Sequence, residues 1–153
     1  MVAYWMRTRG DRIAPSWPEI DPAAIKPCLP YLLVAEVFRE PFDLRYRLAG
    51  SEIVSSYGYD PTGKTLRGFD HGASNPTWLV LYERVIEERR PVFGQYVPRV
   101  GRHEMFRVET VTLPLSQDGS SVDRIIELED WSMAPGVRRG QMQLWEWRFD
   151  MLD

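Results

Sequence analysis

Glu127, Glu129 and Asp130 have the look of paired carboxylates. Carboxylates this close can divide general acid and general base work when their surroundings push their pKa values apart. Here Glu127 and Glu129 sit two apart in a strand-like run. Alternation therefore sends both to one face, and the expectation is the outer, solvated one. His71 stands beside Asp70 and His103 beside Glu104. With Cys28 they make two histidines and one cysteine far apart in sequence, without metal-ligand spacing, so no metal is expected. Cys28 lies between Pro27 and Pro30 and reads as a buried apolar thiol. Gly63-Lys64-Thr65 lacks the upstream glycine of a phosphate loop. The catalytic residues expected on these grounds are none.

The elements that would position a site are more legible. Leu44, Tyr46 and Leu48 alternate with Asp43, Arg45 and Arg47, which predicts a strand with Tyr46 and Leu48 facing the core and the arginines facing solvent. On that register Leu48→Ala would cost roughly 2–5 kcal/mol. Ser51 is the expected N-cap of a short helix over 52–57, ended by Gly58. Asn75-Pro76 opens the longest helix, and Trp78, Leu81, Tyr82 and Val85 fall on one stripe until Pro91 ends it. Strands are predicted over 32–38, 44–49, 92–97, 105–115 and 122–128, with Asp118-Gly119 as a hairpin signal. Upstream, Tyr4 and Trp5 fall in a short helix, and Asp21-Pro22 is a good start for another. In the tail Trp145, Trp147, Phe149 and Met151 alternate with Glu146, Arg148 and Asp150 as in a half-buried strand, while Met142, Trp145, Phe149 and Leu152 also fit one helical stripe; the strand preference of the aromatics tips the reading to a strand docked on a sheet face or edge.

Two strands, a block of helices and three strands make an α+β fold. YRLAG at Tyr46–Gly50 with its flanking Tyr57-Gly58, then Pro61 to Leu66 (PTGKTL), resemble the first half of a PAS domain. Tyr4-Trp5, Arg9-Gly10, Pro15 to Ile20, Asp21-Pro22 to Tyr31, Arg90-Pro91-Val92 and Leu113-Pro114-Leu115 agree in order. The chain is similar to a bacterial group of mostly stand-alone PAS proteins over roughly 4–128. The resemblance implies a five-stranded antiparallel sheet with helices on one side. An N-terminal helical arm (1–31) would precede a core (32–131), and a C-terminal extension (132–153) would follow it.

The resemblance implies a non-enzymatic sensory module acting in signal transduction. It would bind a small molecule or a signalling protein and work through homodimer or partner contacts. The pocket candidates are Tyr46, Leu48, Tyr57, Trp78, Tyr82, Phe93 and Met105, although the same residues would serve a filled core. Tyr4, Trp5 and Trp17 are dimer-interface candidates, with packing on their own sheet the alternative. The Asn-Cys-Arg signature of flavin photosensors is missing between Ser51 and Phe69. The helix from Asn75 to Arg90 lacks the histidine of haem-binding PAS domains, so no cofactor is expected. Two rivals are a pure interaction adaptor and a small cavity enzyme using His71 or His103 as base.

Composition sets the outer bounds. At 153 residues, 44% apolar and 27% charged, the chain reads as one globular domain. A net charge of -3 argues against nucleic-acid binding, which needs a basic surface. No apolar run approaches the ~20 residues of a membrane span, and the Arg-rich start does not read as a signal peptide, so the expected location is cytoplasmic.

Overall fold

The computed structural model describes residues 1–68, 75–100, 103–104, 108–131 and 142–151, with only the backbone described for 75–77, 97–100, 103–104 and 142–151. Helix α1 (Val2–Arg9) begins the chain. Strands β1 (Leu32–Arg39) and β2 (Phe42–Ala49) form a hairpin that leads into α2 (Ser51–Tyr57). Helix α3 (Asn75–Glu88) is followed by β3 (Val92–Val100), β4 (His103–Glu104), β5 (Val108–Leu115), β6 (Arg124–Asp130) and β7 (Met142–Met151). The strands make one antiparallel sheet in the order β2-β1-β6-β5-β3-β4, with β7 also paired to β3. The class is α+β. The five principal strands appear in the predicted order, and the tail is a strand as its aromatic alternation implies.

Where helices begin and end follows local chemistry. Gly50 precedes α2 in extended backbone, so Ser51 is the first helical residue and not the cap. A Cβ on Gly50 would lie 2.2 Å from the Pro30 carbonyl oxygen, and only glycine fits there. Gly58 closes α2 in the left-handed conformation at φ 80°. The helix expected after Asp21-Pro22 is instead a turn followed by a 3-10 segment, Lys26–Tyr31. Asp21 Oδ1 does accept from the Ala23 N–H at 2.9 Å. Pro27 and Pro30, however, remove donors that a longer α-helix would need.

Both faces of the sheet are covered by the chain itself. On one side α2 and α3 pack Ile53, Trp78, Leu81, Tyr82 and Val85 against Leu33, Ala35, Leu44, Tyr46, Val92, Tyr96 and Ile125. On the other the N-terminal arm lays Trp5, Ala14, Ile20 and Ile25 on Leu32, Val34, Val111, Leu113, Leu115 and Ile126. Trp5 is wholly buried there, and its indole N–H donates to the Pro114 carbonyl at 2.8 Å.

The register of β2 corrects the expectation for Leu48. Ala35 pairs with Tyr46 but the preceding Val34 pairs with Leu48, so Arg47 is the extra residue of a β-bulge. The bulge resets the alternation. Tyr46 faces the helices as predicted, whereas Leu48 turns to the opposite face, 41% exposed at the sheet edge. Leu48→Ala should therefore cost less than about 1 kcal/mol in urea denaturation, as a surface change does. A loss above about 2 kcal/mol would overturn the bulged register.

Candidate functional site

The site is built on the helix-facing side of β6. Glu127 and Glu129 share the parity of Ile125, so they point at the helices and are buried, 1% and 0% exposed. The expectation of an outer, solvated face is reversed. The arm covers the outer face with apolar contacts, and Ile126 and Leu128 are the β6 side chains that meet it. Glu127 accepts from the hydroxyls of Tyr82, on α3, and Thr110, on β5, the latter at 2.8 Å. Glu129 accepts from Tyr57 Oη at 2.9 Å and from Trp131 Nε1 at 2.7 Å. Every donor in these four bonds is neutral.

Aromatic rings close around the pair. Trp78 stacks on Tyr82 with centroids 5.7 Å apart and meets Tyr96 edge-on at 5.4 Å. Trp131 meets Tyr96 and Tyr57, each at 6.1 Å. Tyr46 joins through a hydrogen bond with Tyr82. Burial raises the phenols of Tyr46, Tyr57, Tyr82 and Tyr96 well above the usual tyrosine range, and the neighbouring carboxylates raise them further. They remain protonated donors. Burial also pushes both glutamates up, Glu127 further because Glu129 adds like-charge repulsion. Two raised carboxylates thus lie side by side within a ring of aromatic side chains.

The pocket candidates divide by this geometry. Tyr46, Tyr57, Trp78 and Tyr82 do converge. Leu48 does not, for the reason of the bulge. Phe93 also lies elsewhere: it pairs with Val111 on the arm side and lines a groove of about 270 Å3 with Val2 and Leu128. The strand begins with Val92 facing the helices, so its neighbour must face away. Met105 and His71 lie outside the described residues, and His103 is placed only by its backbone in β4. Sequence reasoning missed Glu127, Glu129, Thr110, Tyr96 and Trp131. The signal was present in the apolar Ile126 and Leu128 between the two acids, once the arm is seen to need an apolar face.

The other candidates are also placed. Cys28 is half-buried at the edge of the arm-side core. Tyr4 is half-buried, and its hydroxyl donates to the Glu19 carbonyl and accepts from the Asp21 N–H. Trp17 is half-buried with the Arg124 guanidinium over its ring at 5.8 Å. Trp5 is occupied within its own chain, so of the three interface candidates only Tyr4 and Trp17 retain surface for a partner. Among the described residues no group of His, Cys, Asp and Glu could hold a metal ion. No described helix is long and apolar enough to cross a membrane.

The family model for the PAS domain matches residues 1–128. The chain belongs to the PAS domain family. The match begins within the arm and ends in β6, so α1 lies inside the matched PAS residues while β7 lies beyond them. No curated protein matches the chain. PAS domains are in general sensory and regulatory modules without enzymatic activity. In this PAS domain the acid pair and its rings lie between the sheet and α2–α3, the space that the fold leaves for side chains or for a ligand.

Proposed function

We propose that the protein is a non-enzymatic sensory module that binds a small molecule between the sheet and helices α2 and α3. One observation carries this reading. Glu127 and Glu129 are fully buried, and among the described residues neither pairs with a cation. A core selected only for stability would replace such a pair with apolar side chains, which is often neutral or stabilising. Binding sites, by contrast, are mostly apolar with a few convergent polar groups, and that is the composition found here.

The bound state passes outward through a second copy of the chain or a protein partner. Tyr4, Trp17 and the exposed Phe38 and Leu48 of the β1–β2 hairpin are the apolar contacts offered to it. Native mass spectrometry of protein taken from its own cells tests both halves of the reading. A retained small molecule whose removal lowers the melting temperature is the expected result. A partner that co-purifies with no retained small molecule, while no compound in a metabolite library shifts the melting temperature, would favour an interaction adaptor with a filled core.

A further inference from the structure

The acid pair also bears on what kind of molecule would bind there, given the ligand-binding reading above. We infer that the ligand is an organic cation, an amine or quaternary ammonium, held by Glu127 and Glu129 against the aromatic rings that surround them.

Three independent features converge on this class. The first is charge. Tyr57, Tyr82, Thr110 and Trp131 satisfy the hydrogen-bonding capacity of the carboxylates, but none supplies a positive charge. Hydrogen bonds from neutral donors do not offset the cost of a buried anion as a paired cation does. The second is an orphaned acceptor. Thr112 faces Glu127 across the β5–β6 ladder and lies on the same side of the sheet. It is 0% exposed, and its hydroxyl has no hydrogen-bond partner. A hydroxyl beside a carboxylate is where the N–H of an ammonium group would be received.

The third feature is the rings. Indole and phenol faces are the best aromatic surfaces for a cation, and they recognise quaternary ammonium groups in cages of this composition. Tyr59 leads from the surface to Tyr57 with centroids 6.0 Å apart, and it is 39% exposed. The Lys64 ammonium already lies over the Tyr59 ring at 5.0 Å. The outermost ring of the track thus holds a cation of the chain's own, and Tyr57 at its inner end donates to Glu129.

Other classes fit less well. An anion would meet two carboxylates in a medium of low dielectric. A calcium ion takes six to eight oxygen ligands, whereas the groups packed around the pair include the rings of Tyr57, Trp78, Tyr82, Tyr96 and Trp131.

The test uses the whole protein and four probes at matched ionic strength: tetramethylammonium chloride, butylammonium chloride, neutral tert-butanol and calcium chloride. Thermal unfolding is followed at pH about 9, where both carboxylates are charged, and at pH about 5, where both are neutral. The two organic cations should raise the melting temperature at the higher pH and lose that effect at the lower. Calorimetry at neutral pH should show protons released on binding. Glu129→Gln should weaken the effect by about tenfold or more, the order expected for losing a buried charge partner. Glu52→Gln, on the exposed side of α2, should not.

The outcomes separate the two proposals. If tert-butanol or calcium stabilises the protein as well as the ammonium ions do, the cation inference falls and the ligand-binding reading stands. The same holds if a metabolite screen yields a neutral or anionic ligand. If no probe or metabolite shifts the melting temperature of the parent at either pH, both fall and the acids are a structural pair.

Discussion

Thermal stability of the unliganded protein should fall steadily as pH rises from about 5 to about 8, and Glu127→Gln with Glu129→Gln should abolish the fall. The sign follows from linkage. The folded state raises Glu127 to about 8 and Glu129 to about 7, above the unfolded value of 4.5. Between those limits the folded protein holds more protons than the unfolded chain, so each pH unit removes stability. The contribution is fully present below about 4.5 and is lost as pH rises through the two folded values.

Each unit of raised pKa corresponds to about 1.4 kcal/mol, so the pair together amounts to several kcal/mol. The groups that face the pair are Tyr46 from β2, Tyr57 and Tyr59 from α2 and the turn after it, Tyr82 from α3 and Tyr96 from β3. All titrate far above this window. Glu19 acts in the opposite direction, held at about 2 by the Arg12 guanidinium, but it lies at the surface, where solvent screens it, and steepens only the limb below about pH 4. Each single Gln variant should be more stable than the parent at about pH 8, because it removes one buried charge and relieves the repulsion on the other. A flat profile in the parent, with no gain in either variant, would show that the acids are solvated.

Trp5→Ala should be the most damaging single truncation in the arm. The ring is 0% exposed against the sheet, and its loss would open a cavity worth about 3–5 kcal/mol. The Pro114 carbonyl would lose its donor as well, a further 1–3 kcal/mol or so if water cannot reach it. Trp5→Phe keeps much of the volume and loses only the bond, so it should be the milder change. Deleting residues 1–14 should likewise expose Leu113 and Leu115 and lower the melting temperature. A folded, equally stable protein that has merely changed from dimer to monomer would return Trp5 to the interface role that its sequence also permits.

Periodicity located the elements because it depends on spacing alone. The α3 stripe of Trp78, Leu81, Tyr82 and Val85 is buried as a unit, and the aromatic tail is a strand. What periodicity lacks is an absolute reference for inside and outside. Ile125 to Glu129 alternates cleanly, yet the rule that charges face water chose the wrong face, because this sheet has no wet face along β6. One bulged residue, Arg47, then inverted the parity for Leu48 without leaving a mark in residue type. Phe93 failed for a related reason: an aromatic next to a predicted strand start can take either side, and only its partner Val111 decides. The four aromatics that meet around the acid pair, Tyr46, Tyr57, Trp78 and Tyr82, lie before the bulge in β2 or on helices α2 and α3, where it has no effect.

The central ladder also constrains how the chain acquires its structure over time. β1 lies between β2, its neighbour in sequence, and β6, whose Leu128 pairs with Leu32. The β1–β2 hairpin can close within microseconds of emerging. Its other edge must wait while some eighty further residues are made, which takes about 4–16 s at the usual pace of translation. Throughout that interval Leu32, Leu33, Val34 and Ala35, all buried in the finished protein, present an unpaired apolar edge. Topology of such high sequence separation folds slowly. The nascent chain, rather than the mature protein, is therefore the form most in need of chaperone cover.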